Sequence, residues 1–240
     1  MKNKHGLDRN IPADVKLAVR QACGFGCVIC GLNITDYDHV DPPFAEAKQH
    51  VANAIALLCP RCHAKITRGF MAKDTIKEAR QKPICKQQGY ASEMLALGKT
   101  NPKIVFGGVT ILNCPIPIQV LGYPLFQIEP AEQPDGPIRL SATFFNSHGN
   151  LSLQIVQNEW KALDSNWDLE VTGGKIIVRD APGHISLQLA IKPPDEIIVE
   201  ILDMRIAHYH LVANPMTLFV NGNSFTGCVM DNCRVGMALN

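Results

Sequence analysis

Two pairs of cysteines constrain this chain more than any other feature. Cys27-Val-Ile-Cys30 and Cys59-Pro-Arg-Cys62 are separated by 28 residues. A two-residue gap lets both sulfurs of a pair reach one ion at about 2.3 Å, and two such pairs supply the four donors of a tetrahedral structural Zn2+ site. Any fold built on them must bring residues 27–30 and 59–62 to one point. The competing reading is a redox pair or buried free thiols. Cys23 lies close to the first pair but breaks the spacing, so it reads as structural. Cys85, Cys114, Cys228 and Cys233 read as buried small apolar residues. Cys228 and Cys233 have no companion pair, so a second zinc is not expected.

The compartment bears on that choice. The first dozen residues, MKNKHGLDRNIP, lack the apolar stretch of a secretory leader. No apolar run approaches the roughly 18–20 residues of a membrane span. A cytoplasmic location without membrane attachment is the expectation, and there clustered cysteines point to metal rather than to disulfides.

Charge divides the 240 residues in two. Residues 1–100 carry 15 Lys+Arg against 9 Asp+Glu, whereas residues 101–240 carry 8 against 13. A basic first part beside an acidic second part suggests two modules with different partners. The local grammar changes at the same place. Val15, Ala18, Val19 and Ala22 recur at helical spacing after Pro12, and Gly24 and Gly26 stop that helix. A second helix is expected from Pro60 to Arg68, with Gly69 as its stop, and a third from Lys73 to Lys82, ended by Pro83. A short helix and a joint are expected near Tyr90–Thr100. From Lys103 onward short β-rich runs follow one another, as in Ile185-Ser-Leu-Gln-Leu-Ala-Ile191. The expected fold class is therefore α+β. A zinc-stapled domain over residues 1–88 and a linker over 89–102 precede a mainly-β domain over 103–240. A sandwich or jelly roll is favoured there, with a barrel or β-solenoid also compatible. That β domain shows no nucleotide loop, triad or metal spacing. His184, His208 and His210 read as isolated structural residues, with His208 and His210 on one strand face, and Trp160 and Trp167 as core or interface anchors. By exclusion, the domain is assigned to association or sensing, and a homo-oligomer formed through it is expected.

The chemistry lies between and beside the cysteine pairs. Tyr37-Asp38-His39-Val40 follows Cys30 closely, and His63 follows Cys62 directly. If one ion holds both pairs, Asp38, His39 and His63 converge. A carboxylate and an imidazole can then hold a divalent ion while a second histidine serves as general base. Arg61, Lys65 and Arg68 recur at i, i+4, i+7 on what reads as a helix face beside His63, a stripe suited to DNA phosphates.

The set CVIC, YDHV and LLCPRCH resembles the HNH (ββα-metal) endonucleases, in the subgroup with a four-cysteine zinc. The resemblance covers roughly Ile11 to Arg80. It implies that two strands and a helix carry the site and that His39 is the general base that activates water. It also implies that Asp38 and His63 bind a catalytic divalent ion, typically Mg2+, and that DNA is cut to leave 5′-phosphate ends. One position departs from the pattern: the family's central Asn falls at Ala54. Asn53, one residue off register, is the expected substitute in the catalytic set, with His50 as another. The function this implies is a metal-dependent DNA endonuclease with a β-rich association module. Alternatives are a non-catalytic zinc module that binds DNA or protein, and an assembly protein whose working part is the β domain.

Overall fold

The computed structural model describes residues 2–240. The chain divides into two compact units, one of residues 1–93 with 163–168, the other of 94–162 with 169–240.

The first unit opens with α1 (Ala13–Cys23). Pro12 precedes it, and Gly24, at φ 70° in the left-handed region, accepts the turn that ends it. A hairpin follows. Strands β1 (Asp36–His39) and β2 (Ile55–Leu58) pair antiparallel, with Asp38 opposite Ala56 and His39 opposite Ile55. Every residue of β2 is buried. Helix α2 (Pro60–Thr67) begins directly after it, with Pro60 in its first turn, where a missing N–H costs nothing. Helices α3 (Lys73–Gln81) and α4 (Ile84–Gln88) lead to strand β3 (Tyr90–Met94). The expected helix at residues 90–100 is absent. Gly89, at φ 83°, turns the chain out of α4, and backbone bonds from Asn33 N–H to Ser92 and from Ser92 N–H to Gly31 hold the segment extended. Those contacts with the loop after Cys30 override the helix-forming tendency of Ala91, Glu93 and Met94.

Segment 163–168 belongs to this unit although it comes from the β-rich half of the chain. The buried Asp168 carboxylate receives two parallel bonds from Arg20, at 2.8 and 2.7 Å, and Arg20 also donates to the Tyr37 hydroxyl at 2.9 Å. Burial opposes the Arg20 charge, and these hydrogen bonds outweigh it and hold its pKa above the usual value.

The second unit is built of strands alone. They are β4 (Lys103–Phe106), β5 (Gly108–Leu112), β6 (Ile116–Val120), β7 (Tyr123–Pro124), β8 (Phe126–Glu129), β9 (Arg139–Phe145), β10 (Leu151–Val156) and β11 (Glu159–Leu163). Then come β12 (Asp168–Thr172), β13 (Lys175–Ala181), β14 (His184–Lys192), β15 (Glu196–Ile206), β16 (Tyr209–Asn214), β17 (Thr217–Val220), β18 (Asn223–Asp231) and β19 (Val235–Leu239). Strands β8, β9, β10 and β11 are neighbours in one sheet. A larger sheet runs β12-β13-β14-β15-β16-β17-β18-β5-β4. One edge of β15 is shared, with residues 196–199 pairing parallel with β4 and residues 202–206 pairing antiparallel with β16. The two arms rejoin through β17, β18 and β5, so six strands close into a ring. Neither a sandwich nor a jelly roll closes this way. The closure depends on parallel pairs between residues distant in the chain, β18 with β5 and β15 with β4. Trp160 is buried, as expected of a core anchor.

The histidines of this unit are not isolated. His184 on β14 stands between Asp180 of β13, at 2.5 Å from Nδ1, and Asp203 of β15, at 3.1 Å from Nε2. His210 on β16 reaches the other oxygen of Asp203 at 2.7 Å. His208 is in the turn before β16, against the Tyr209 ring, and does not share a strand face with His210. Carboxylates only accept, so both His184 nitrogens donate and the ring is an imidazolium. The hydrogen bond to Asp180 raises the His184 pKa. Burial opposes ionisation of Asp180, but bonds from His184 and Ser147 outweigh it and hold its pKa below the ordinary value.

Two predictions follow from these ion pairs. Arg20→Ala removes the bidentate partner of the buried Asp168 carboxylate and should cost about 3–5 kcal/mol, read by denaturant unfolding. The His184 contribution is complete below the unfolded histidine pKa of about 6.5 and is lost as pH rises through the higher folded value. The Asp180 contribution is lost at the acid end, as pH falls through its depressed folded value. The melting-temperature gap between wild type and His184→Gln should therefore narrow from pH 6.5 to 9.

Candidate active site

The hairpin, with α2 behind it, brings the two cysteine pairs together. The first pair is a tight turn: Gly31 N–H bonds to Cys27 O at 2.9 Å, with Gly31 at φ 82°. Backbone bonds from Val28 N–H to Leu57 and from Ile84 N–H to Val28 strap that turn to β2 and to the start of α4. The second pair is the start of α2. Cys59 is its N-cap, with Sγ accepting from the Cys62 N–H at 3.4 Å, so a thiolate there meets the positive end of the helix.

The four sulfurs of Cys27, Cys30, Cys59 and Cys62 lie within 4.8 Å of one another, and those of Cys30 and Cys59 are 3.5 Å apart. Four sulfurs about 2.3 Å from a tetrahedral ion stand roughly 3.8 Å apart. The donor set and its spacing fit, and these four cysteines could hold a zinc ion. Among the described residues no other group of three or more His, Cys, Asp or Glu converges in this way, and Cys23 is outside it. Without a cation the thiols compete for charge. The hydrogen bond from Cys30 pulls Cys27 down to about 5, while burial and the Cys27 charge push Cys62 up to about 12. Cys85 behaves as expected, a buried thiol pushed up to about 12 by desolvation. Cys114 is also buried. Cys228 and Cys233 are not: Cys228 is half-buried within β18, and Cys233 is exposed at the corner between β18 and β19.

Beside the cysteine cluster is a cleft of about 370 Å3, lined by Asp38, His39, His63, Thr67 and Lys73 among others. Asp38 and His39 come from β1, and His63 comes from the first turn of α2. His63 Nε2 is 3.9 Å from Asp38 Oδ1. Two donors about 2.1 Å from one ion stand roughly 3.0–3.4 Å apart, so this pair would have to close by about 0.5–0.9 Å to share a cation. Burial raises the Asp38 pKa, the penalty on a carboxylate removed from water that a bound cation relieves.

His39 is oriented by a second histidine. Its Nε2 is 3.1 Å from His50 Nδ1, and His50 Nε2 is 2.9 Å from the Asp8 carbonyl. A carbonyl only accepts, so His50 Nε2 donates to it, and in that tautomer the His50 Nδ1 lone pair is left to accept. His39 then donates from Nε2, which leaves its Nδ1 lone pair as the basic atom. Burial, and then the neighbouring His50, lower the His39 pKa and keep the ring neutral. Phe44 packs edge-on against His39 at 5.3 Å, and the Ala54 carbonyl accepts from Val40 N–H at 2.8 Å, bracing the strand just beyond it.

Asn53 lies elsewhere. It is exposed, in a short 3-10 turn (Ala52–Ala54), and is not among the residues that line the cleft. The basic stripe is also displaced. Arg61, Lys65 and Arg68 are exposed on α2, but at 100° per residue His63 stands roughly 170° from their centre. His63, Ile66 and Thr67 face the cleft, and the stripe faces away from it. The cations that frame the cleft region are Lys73, from the start of α3, and Arg9 and Lys16, which share a neighbouring hollow with Asp38 and His63. Their spacing in the chain carries no period that could have singled them out.

Metal analysis of the purified chain should find one zinc per molecule. Cys59→Ser or Cys62→Ser should release it and unfold the first unit, because binding energy at such sites, about 10–16 kcal/mol in small zinc domains, is folding energy. A chain that folds equally well with zinc stripped by a chelator would contradict this. No family model, no curated protein and no solved structure matches this chain.

Proposed function

We propose that the chain is a metal-dependent DNA endonuclease of the HNH type, with a zinc-stapled first unit as its catalytic head. The observation that carries this reading is the convergence of three side chains in one cleft. Asp38 and His63 form a donor pair 3.9 Å apart, and His39 presents a free Nδ1 because His50 accepts from its Nε2. A hairpin followed immediately by a helix is also the arrangement that the resemblance implies.

Asp38 and His63 are the residues that would hold the divalent ion, Mg2+ or another. When bound, that ion supplies charge stabilisation to a phosphodiester and its leaving oxygen. His39 takes a proton from water at Nδ1, and the water oxygen attacks phosphorus. His50 keeps the imidazole in the tautomer that has this lone pair. Lys73, Lys16 and Arg9 attract the phosphate backbone toward the cleft. The exposed Arg61, Lys65 and Arg68 offer a separate cationic face for a more distant stretch of DNA.

The position of Asn53 outside the cleft favours a second reading, a non-catalytic zinc module that binds DNA or protein. Plasmid nicking with Mg2+, Mn2+, Co2+ or Ni2+ separates the two. The enzyme reading expects nicking by wild type, a loss of about 10²–10⁴-fold in His39→Ala with zinc content unchanged, and a comparable loss in His63→Ala. DNA retained without nicking in every metal, by wild type and variants alike, supports the second reading instead.

A further inference from the structure

The corner between β5 and β6 and the corner between β18 and β19 are stacked copies of one another. Asp231 is the parallel partner of Leu112 before the corner, and Val235 is the partner of Ile116 after it. The register offset is the same on both sides, so Asn113 stands beside Asn232 and Cys114 beside Cys233. Three observations support this in-step turning. Asn113 and Asn232 both adopt left-handed backbone, at φ 51° and 56°. Asn232 N–H bonds to the Leu112 carbonyl at 3.2 Å, and the Asn113 amide donates to Asp231 at 2.9 Å. Each thiol donates to the carbonyl two residues before it, Cys114 to Leu112 at 3.1 Å and Cys233 to Asp231 at 3.4 Å. The two cysteines therefore share a conformation one strand spacing apart.

We propose that Cys114 and Cys233 form a reversible disulfide that clamps the C-terminal strands β18 and β19 to β5 and β6. Parallel neighbours have Cα atoms about 4.8 Å apart, inside the 4.4–6.8 Å window of disulfides. The accessible partner is Cys233, which is exposed, whereas Cys114 is buried. Desolvation raises the Cys114 pKa, and a hydrogen bond from the Cys233 backbone partly offsets it. Cys228 is excluded as a partner. It pairs with Val109, and three residues of extended strand, about 10 Å, separate it from the end of β18.

The co-reactant is a low-molecular-weight disulfide such as oxidised glutathione. The Cys233 thiolate attacks one glutathione sulfur, and the other glutathione leaves as a thiolate. The Cys114 thiolate then attacks Cys233 sulfur and expels the second glutathione. Two protein thiols lose two protons and two electrons, and one glutathione disulfide becomes two thiols. The resulting bond closes a loop of more than a hundred residues, the long-loop case in which a cross-link restricts the unfolded chain most.

The test uses the full chain with zinc bound, equilibrated across ratios of reduced to oxidised glutathione and then trapped with maleimide. Peptide mapping should find Cys114 joined to Cys233 in wild type and in Cys228→Ser, and no such link in Cys233→Ser, an exposed substitution that leaves the fold intact. The linked wild type should melt about 5 °C or more above its reduced form, and Cys233→Ser should show no redox-dependent shift. Recovery of Cys233 only as free thiol or as its glutathione adduct, linkage to Cys228, or linkage between two chains would each overturn the proposal.

Discussion

Four sulfur atoms within 4.8 Å of each other cannot all give up their protons unless they share a cation. The first unit is arranged around that constraint. β2 is buried along its whole length and delivers Cys59 to the start of α2, while backbone bonds from Val28 and Ile84 hold the first cysteine turn against it. Asp38 is on the strand paired with β2, and His63 is one residue beyond Cys62. Whatever fixes the sulfurs therefore also fixes the spacing of the cleft side chains.

Charge at the cleft is set by burial more than by number. Asp38 is half-buried with the His63 imidazole 3.9 Å away, and desolvation, then His50, lower the His39 pKa. A half-buried carboxylate beside a neutral imidazole with a directed lone pair suits cation binding and proton abstraction.

The second unit solves a different problem. Its strands are short, and a sheet that ended freely would present unpaired backbone at both edges. Splitting the edge of β15 between β4 and β16 and rejoining the arms through β18 and β5 removes several of those edges at once. The carboxylates of β13 and β15 are then bridged by His184, which ties three adjacent strands with one imidazolium. β18, near the C-terminal end, completes the closure against β5.

Much of the first unit was legible from residue types and spacing. Paired cysteines, Pro60 at a helix start, Gly24 at a helix end and Asp38-His39 beside them are local signals, because each depends on neighbours a few positions away. The division into a helical, cysteine-bearing part and a strand-rich part was legible for the same reason. The rest was decided only by tertiary structure. The side of α2 that faces the cleft depends on what packs behind it, so the periodic stripe of Arg61, Lys65 and Arg68 pointed away while Lys73, Lys16 and Arg9 framed the site. The partner of His39 came from His50, across the loop joining β1 and β2, rather than from Asn53. The ring of strands, the His184 bridge and the placing of Cys114 beside Cys233 depend on hydrogen bonds between distant segments. Pattern along a chain determines which face of a strand is apolar, but not which other strand will lie beside it.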